Sequence, residues 1–352
     1  MTKVAPSHFR KAQSLMVSSI GLGTYLGNHD DATDLSYKNA VIRALELGCN
    51  FIDAAINYRC QRSERAIGAA LKELFSESKL QRQEVVVATK GGFIPFDGQP
   101  PINPSKYFQE RFIKSGLISP SDVVAGCHCM TPSYLQDQID SSLENLGLGT
   151  IDIYYLHNPE TQLSEVSRSQ FNSRIEAAFE LLERNVADGK INYYGTATWN
   201  GYRVDPGHSD YLSLSDLVSI AREVAGEDHH FRFLQLPYNL AMPEAFVFEN
   251  QLVDEDMVST LEAATHYGVN VVCSASIFQA KLSKNLPEDL RNDIKGLKTD
   301  AQRAIQFTRS TPGVASGLVG MSRQIHVEEN MQVATISPMQ TEEFLGLFTS
   351  KN

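Results

Sequence analysis

Short apolar runs alternate along the chain with longer stretches of helical spacing. Residues 18–24, 50–54, 85–90, 151–157, 191–197, 231–236, 269–274 and 315–321 are rich in β-branched or other apolar side chains and bounded by polar turns, which predicts eight strands. Between them, Val41, Ala44 and Leu45 share one helical face ahead of Gly48, a residue suited to ending a helix. Leu135, Ile139, Leu143 and Leu146 form a second stripe. It opens at Thr131-Pro132, an N-cap candidate followed by proline at the first helical position, and closes at Gly147. Further helices are predicted near 63–75, 171–187, 213–225, 255–267, 300–309 and 326–334. Eight successive βα units predict an α/β fold, a parallel eight-stranded (β/α)8 TIM barrel. No repeat of fixed period, low-complexity tract or linker divides the sequence, so residues 1–352 are expected to form a single barrel domain.

The longest irregular segment, 91–130, follows the third strand. It holds Pro95, Pro100, Pro101, Pro104 and Pro120 together with Phe93, Phe96, Tyr107, Phe108 and Phe112. A loop of that length inside a compact domain is usually functional or disordered, and the aromatic content favours function. The expectation is a long lid loop beside the site.

Composition removes several classes of function. The net charge is −11 with no dense Lys/Arg run, which argues against a nucleic-acid partner or an anionic membrane surface. Five cysteines (Cys49, Cys60, Cys127, Cys129, Cys273) form an odd, scattered set that suits a reducing compartment. No apolar run follows Met1, and no segment reaches the roughly 18 apolar residues of a membrane span. A soluble, cytoplasmic protein is expected.

The ends of the predicted strands carry the chemistry. Asp53 ends the second strand and Tyr58 follows it by five residues; Lys90 closes the third strand and His157 the fourth. In α/β barrels the strands' C-terminal ends form the site. A proton-transfer site requires a positioned donor with a pKa tuned towards the working range. A phenol has an ordinary pKa near 10, and an ammonium beside Tyr58 would lower it. Asp53 would hold Lys90 charged in a partly desolvated pocket, and His157 would orient the substrate by hydrogen bonding or share in the proton relay. Taken singly, each residue has an ordinary reading as an ion-paired, packed or locally satisfied side chain. Taken together on strand ends, they describe a proton-transfer site. Cys127-His128-Cys129 lacks a second pair at finger spacing, so no metal site is expected. Trp199, the only tryptophan, follows the fifth strand at its mouth, where it would either flank a cofactor or pack.

These residues resemble the aldo-keto reductases over roughly 20–330. The markers are Gly21-Leu-Gly-Thr24, Phe51-Ile-Asp53 with Tyr58, Ser63-Glu64 and Gly68, and Ala88-Thr-Lys90. Ser142-Leu-Glu-Asn-Leu-Gly147, Ile151-Asp152 through His157-Asn-Pro159, Gly189-Lys190-Ile191, Gln235-Leu-Pro-Tyr238-Asn239 and Glu329-Asn330 follow in the family's order. The resemblance implies a barrel that binds a nicotinamide cofactor in extended form at the mouth, with Asp53, Tyr58, Lys90 and His157 as the catalytic set. The function implied is an NAD(P)H-dependent aldehyde or ketone reductase acting on a small carbonyl substrate. The alternative is a channel-associated regulatory subunit that binds the cofactor with vestigial activity.

The implied cofactor residues are Thr24, Asp53, Thr198, Gln235, Ser274, Gly320, Ser322, Arg323, His326, Glu329 and Asn330. Gln235 matches the glutamine that holds the nicotinamide carboxamide; its usual Ser-Asn or Ser-Arg partners are replaced by Ala197 and Thr198. Ser274 stands where many members stack an aromatic ring. Glu329 and Asn330 resemble the adenine-binding pair. The positions ten and four residues before Asn330, which in the family hold a Lys and an Arg for the 2′-phosphate, are Gly320 and His326. Arg323 next to Ser322 survives as a cation, and no acidic residue lies between Gly320 and Val327. NADP(H) is therefore expected, with NAD(H) as the alternative. No apolar stripe is left over once the core helices are assigned, so a monomer is expected.

Overall fold

The computed structural model describes residues 4–349. Twelve strands follow in order: β1 Phe9–Ala12, β2 Leu15–Ser18, β3 Ile20–Gly23, β4 Phe51–Asp53, β5 Val86–Gly91, β6 Ile151–His157, β7 Ile191–Ala197, β8 Phe231–Pro237, β9 Glu249–Val253, β10 Asp256–Ser259, β11 Asn270–Ser274 and β12 Val314–Gly320. Eight of them close into a parallel barrel in the order β3-β4-β5-β6-β7-β8-β11-β12. These are the eight expected strands, and the fold is the expected (β/α)8 barrel.

Side chains alternate between two cores, as the two-residue period of a strand requires. Phe51, Val86, Ala88, Ile153, Tyr155 and Phe233 fill the barrel interior, while Ile52, Val87, Tyr154, Leu156 and Leu234 pack outward against the helices. Ala12 and Val17 belong to the interior cluster, so the β1–β2 hairpin plugs the end of the barrel opposite the mouth.

Several residues of the sequence motifs have structural work. Gly68 lies where the helix Arg62–Ser76 crosses the C-terminal end of the helix Pro132–Leu146: a Cβ there would meet Asn145 O at 2.5 Å. Buried Glu64 accepts the Thr89 hydroxyl at 2.6 Å and the Asn145 amide at 2.9 Å, tying β5 to both helices. Asp152 on β6 accepts the Val87 N–H at 2.8 Å and an Arg82 N–H at 2.7 Å.

The structure departs from the sequence reading at element ends and in two hairpins. Residues 255–267 are not one helix: 256–259 form β10, paired antiparallel with β9, and only Thr260–His266 is helical. β-Branched Val253 and Val258 and the adjacent Leu252 and Met257 suit a strand pair better than a helix. Neither this hairpin nor β1–β2 was legible as a separate element. Gly48 (φ 95°) and Gly147 (φ 64°) end their helices in the left-handed region as expected. Thr131 occupies the N-cap of its helix without a side-chain cap bond; its hydroxyl lies 3.4 Å from the Cys129 thiol.

The segment after β5 is long and folded, with helical turns at Pro104–Phe108, Gln109–Ile113 and Pro120–Asp122. Phe112, Tyr107 and Phe108 build a satellite cluster with Tyr134 of the helix Pro132–Leu146. Phe93 is the aromatic of this loop that reaches the mouth of the barrel.

No helix among the described residues is long and apolar enough to cross a membrane, and no described group of His, Cys, Asp and Glu could hold a metal ion.

Candidate active site

The barrel's register brings the candidate residues onto one rim. Gly23 lies opposite Asp53, Asp53 opposite Ala88, Lys90 opposite Tyr155, and His157 opposite Ala197, which in turn faces Gln235. Above them opens a cavity of about 580 Å³. Its wall includes Thr24, Asp53, Tyr58, His157, Thr198, Gln235, Ser274 and Gly320, which the sequence had singled out. Tyr25, Leu26, Asn57, Phe93, Asn158 and the stretch from Ala275 to Ala280 also contribute, with Phe278 the one residue of that stretch absent from the wall. Phe93 belongs to the loop that the sequence reading placed beside the site and Asn158 to one of its motifs; it missed the others, because loops after strands carry no periodic signal. One clue lies in their backbone: Ala275, Phe278, Gln279 and Ala280 all have φ between 46° and 67°, a strained conformation for non-glycine residues that clusters at functional sites.

Beneath the cavity wall, Lys90 Nζ lies 2.7 Å from Asp53 Oδ2 and 2.6 Å from the carbonyl oxygen of Ala54. Gln235 Nε2 donates to the other oxygen, Asp53 Oδ1, at 2.7 Å, and the Thr24 hydroxyl donates to the Asp53 carbonyl at 2.8 Å. Asp53 and Lys90 are 3% and 1% exposed. Burial penalises both charges, lowering the Lys90 ammonium and raising the Asp53 carboxyl, and their mutual contact opposes both effects.

Tyr58 sits over this pair, with Lys90 Nζ 4.9 Å from its ring centroid. The expected lowering of the Tyr58 phenol by Lys90 is not what this arrangement gives. Burial pushes the phenol well above its ordinary value, and the charge of Asp53 adds to the effect. Burial is the larger cause, and the Lys90 ammonium is committed to Asp53 and the Ala54 carbonyl, with Nζ 4.9 Å from the centroid of the Tyr58 ring. Tyr58 therefore holds its proton across the neutral range.

His157 stands beside it, ring centroids 5.7 Å apart, and Phe93 packs edge-on to His157 at 5.0 Å. Burial, then the charge of Lys90, depresses the imidazole well below its ordinary value. The ring is therefore neutral across the neutral range, with one nitrogen as donor and the other as acceptor. The chain segment is held from below by His128, whose Nε2 lies 2.7 Å from the His157 carbonyl oxygen while its Nδ1 takes a hydrogen bond from Gln162 at 2.7 Å. Those partners require the Nε2–H tautomer. Cys127-His128-Cys129 thus belongs to the loop's anchor, with His128 bridging Phe93 and Val124.

Among the described residues, four polar atoms in the wall are buried without a partner: Asn57 Oδ1, His157 Nδ1, Thr198 Oγ1 and Ser276 Oγ. Unmade buried hydrogen bonds are costly, so such a set in one cavity fits a polar ligand such as a nicotinamide carboxamide. Thr198 and Gln235, which the sequence reading assigns to that group, both line the cavity.

The residues that the sequence reading assigns to the adenosine lie after β12. Ser322, Arg323, His326, Glu329 and Asn330 do not line the cavity; they occupy the loop and helix Gln324–Met331 that follow β12. Arg323 and His326 are exposed. Ser322 O accepts the Ser36 hydroxyl at 2.6 Å, and Glu329 accepts the Thr299 hydroxyl at 2.9 Å. A Cβ at Gly320 would meet no atom within 4 Å, so nothing steric forbids a side chain there.

The sequence matches the Aldo/keto reductase family over residues 19–211, more than half of the chain. The chain belongs to the aldo/keto reductase family. This places it among oxidoreductases. A putative voltage-gated potassium channel subunit beta of Schizosaccharomyces pombe is 21% identical over 97% of this chain and 92% of that protein. L-glyceraldehyde 3-phosphate reductase of Escherichia coli K12 is 22% identical over 94% of this chain and 87% of that protein. An aldo/keto reductase structure from Klebsiella pneumoniae, in complex with NADP and acetate, superposes with a TM-score of 0.63 at 20% identity, covering 99% of this chain and 94% of that one.

Proposed function

We propose that this protein reduces a neutral aldehyde or ketone to an alcohol, with NADPH as the hydride source and Tyr58 as the proton donor. The observation that carries the reading is the buried Asp53–Lys90 pair at 2.7 Å beneath Tyr58, in a cavity that also gathers His157, Thr198 and Gln235. NADPH, when bound, supplies the hydride to the carbonyl carbon. Tyr58, protonated because it is buried, gives its proton to the developing alkoxide. The Asp53-held ammonium of Lys90 offsets the charge left on the phenol oxygen, and neutral His157 fixes the carbonyl by hydrogen bonding. Thr198 and Gln235 are assigned to the carboxamide, Ser274 to the nicotinamide face beside Trp199, and Ser322, Arg323, His326, Glu329 and Asn330 to the adenosine phosphate and base. The match to the family and the NADP complex of the Klebsiella relative support the cofactor assignment.

The wall supports a neutral, largely apolar substrate. Among the described residues no lysine or arginine lines the cavity, whereas Tyr25, Leu26, Phe93, Trp199, Ile277 and Leu318 do. A phosphorylated aldehyde, the substrate class named for the Escherichia coli relative, calls for a cation that this wall lacks. A small carbonyl compound is the partner, and the chain is read as a cytoplasmic monomer.

The second reading, a channel-associated subunit with vestigial turnover, is favoured by the channel-subunit relatives from Schizosaccharomyces pombe, Arabidopsis thaliana and Oryza sativa. NADPH oxidation measured with a panel of neutral, aromatic and phosphorylated aldehydes separates the two. Turnover of neutral aldehydes abolished by Tyr58→Phe supports the reductase; tight NADPH binding with no turnover of any aldehyde supports the subunit.

A further inference from the structure

Trp199 is half-exposed at 43%, lies in the wall of the cavity, and its peptide is held from both sides. On one side, Glu160 Oε1 accepts the N–H of Trp199 at 2.8 Å and that of Asn200 at 3.2 Å. On the other, Arg203 donates to the Trp199 carbonyl at 3.2 Å while pairing with Glu244 at 2.7 Å. Glu160 is 5% exposed, and its second oxygen, Oε2, is buried without a partner. It lies three residues after His157, in the 3₁₀ turn Pro159–Ser164 that leaves the same strand. One short segment therefore carries both His157 and the residue that holds Trp199, which leaves the neighbouring strand β7.

Building on the reductase reading, we propose that Glu160 is a positioning residue that fixes Trp199 as the aromatic wall of the substrate subsite, through its two backbone hydrogen bonds. A carboxylate makes charge-assisted bonds to N–H groups, roughly twice as strong as those of a neutral acceptor. Loss of the charge loosens the loop at Trp199 and widens the subsite for large substrates, while small aldehydes, which do not reach the indole, are turned over as before. Burial lifts the Glu160 carboxyl to about 7, opposed by the N–H groups of Trp199, Asn200 and Gly201, so the grip varies with pH in the neutral range. The ionisable groups on the elements around it are engaged elsewhere. Tyr202 is bonded to Thr196, Arg203 to Glu244, and Asp210 to Asn200, while Arg174 and His128 both bond Gln162.

Because Trp199 is the only tryptophan, its emission reports the loop without any turnover. The experiment records tryptophan emission of the cofactor-free protein from about pH 6 to pH 8, together with KM and kcat for propanal and for a bulky aromatic aldehyde, in the wild type, Glu160→Gln and Glu160→Ala. The wild-type emission is expected to shift to longer wavelength as pH falls through 7. Glu160→Gln, which keeps a carbonyl acceptor but carries no charge, should lose the titration, and Glu160→Ala should be red-shifted at every pH. In Glu160→Ala, KM for the aromatic aldehyde should rise about tenfold relative to that for propanal, with kcat little changed. Wild-type emission that is flat across this range, Glu160→Gln titrating like the wild type, or equal KM changes for both aldehydes overturns the proposal. If no aldehyde is turned over, the reductase reading fails and the emission alone decides the role of Glu160.

Discussion

Lys90 Nζ meets Asp53 Oδ2 at 2.7 Å inside the barrel, yet lies over the ring of Tyr58 at 4.9 Å from its centroid. The cation is therefore organised first by the carboxylate and only then by the phenol. Removing one partner of such a pair leaves a buried charge, which typically costs about 3–5 kcal/mol. Lys90→Met should destabilise the fold by that order, and Asp53→Asn with Lys90→Met together should recover part of the loss. Urea unfolding of the wild type, both single variants and the double variant gives the coupling directly; additive losses would show that the pair does not act as a unit.

Tyr58→Phe removes the proton donor and leaves the Asp53–Lys90–Gln235 network in place. Turnover should fall about 10²–10⁴-fold with the dissociation constant for NADPH little changed. Steady-state kinetics and cofactor titration measure the two quantities separately. Comparable turnover in both proteins would remove Tyr58 from the proton step.

His8 and His128 are both buried and depressed from the ordinary 6.5 to about 4 by that burial. The unfolded chain takes up these protons first as pH falls, so the folded state loses stability from about pH 6.5 down to about pH 4. Each imidazole contributes up to about 3 kcal/mol to that loss. Glu160, raised to about 7, works in the opposite sense: its folded form holds a proton that the unfolded form releases above its ordinary 4.5, so it favours folding at the acid end of the same interval. Unfolding midpoints measured at pH 7, 5.5 and 4.5 should fall for the wild type, and less steeply for His8→Gln. Parallel slopes in the two proteins would place the acid sensitivity elsewhere.

Arg323 is the exposed cation at the start of the helix after β12. If it meets the 2′-phosphate, NADPH should bind more tightly than NADH at low salt, and the difference should shrink as salt is added or in Arg323→Ala. Dissociation constants of both cofactors at two salt concentrations test this. Tighter binding of NADH at low salt would reverse the assignment.

Strand ends and their polar residues were legible in the sequence because a barrel strand is a short apolar run, and its last residue projects at the mouth. Asp53, Lys90 and His157 could be placed on that rim from order alone, whereas Gln235 was reached through the family resemblance. Glu64, Gly68 and Asp152 belong to the same motifs but proved to be structural: a helix crossing or a strand-to-helix hydrogen bond leaves the same mark in a sequence as a catalytic role. The hairpins β1–β2 and β9–β10 were not legible, since an antiparallel pair of four or five residues carries too few positions to show its period.

What the sequence determined was which residues share the rim, since alternation along a strand fixes which side chains can point inward and where each strand ends. Tertiary structure decided their electrical state. The direction of the Lys90 ammonium, the raised phenol of Tyr58, the neutral ring of His157 and the grip of Glu160 on Trp199 all depend on how water is excluded and which atoms lie within 3 Å or so. Burial and interatomic distance arise only when distant strands and loops meet, and no local pattern in the chain encodes them.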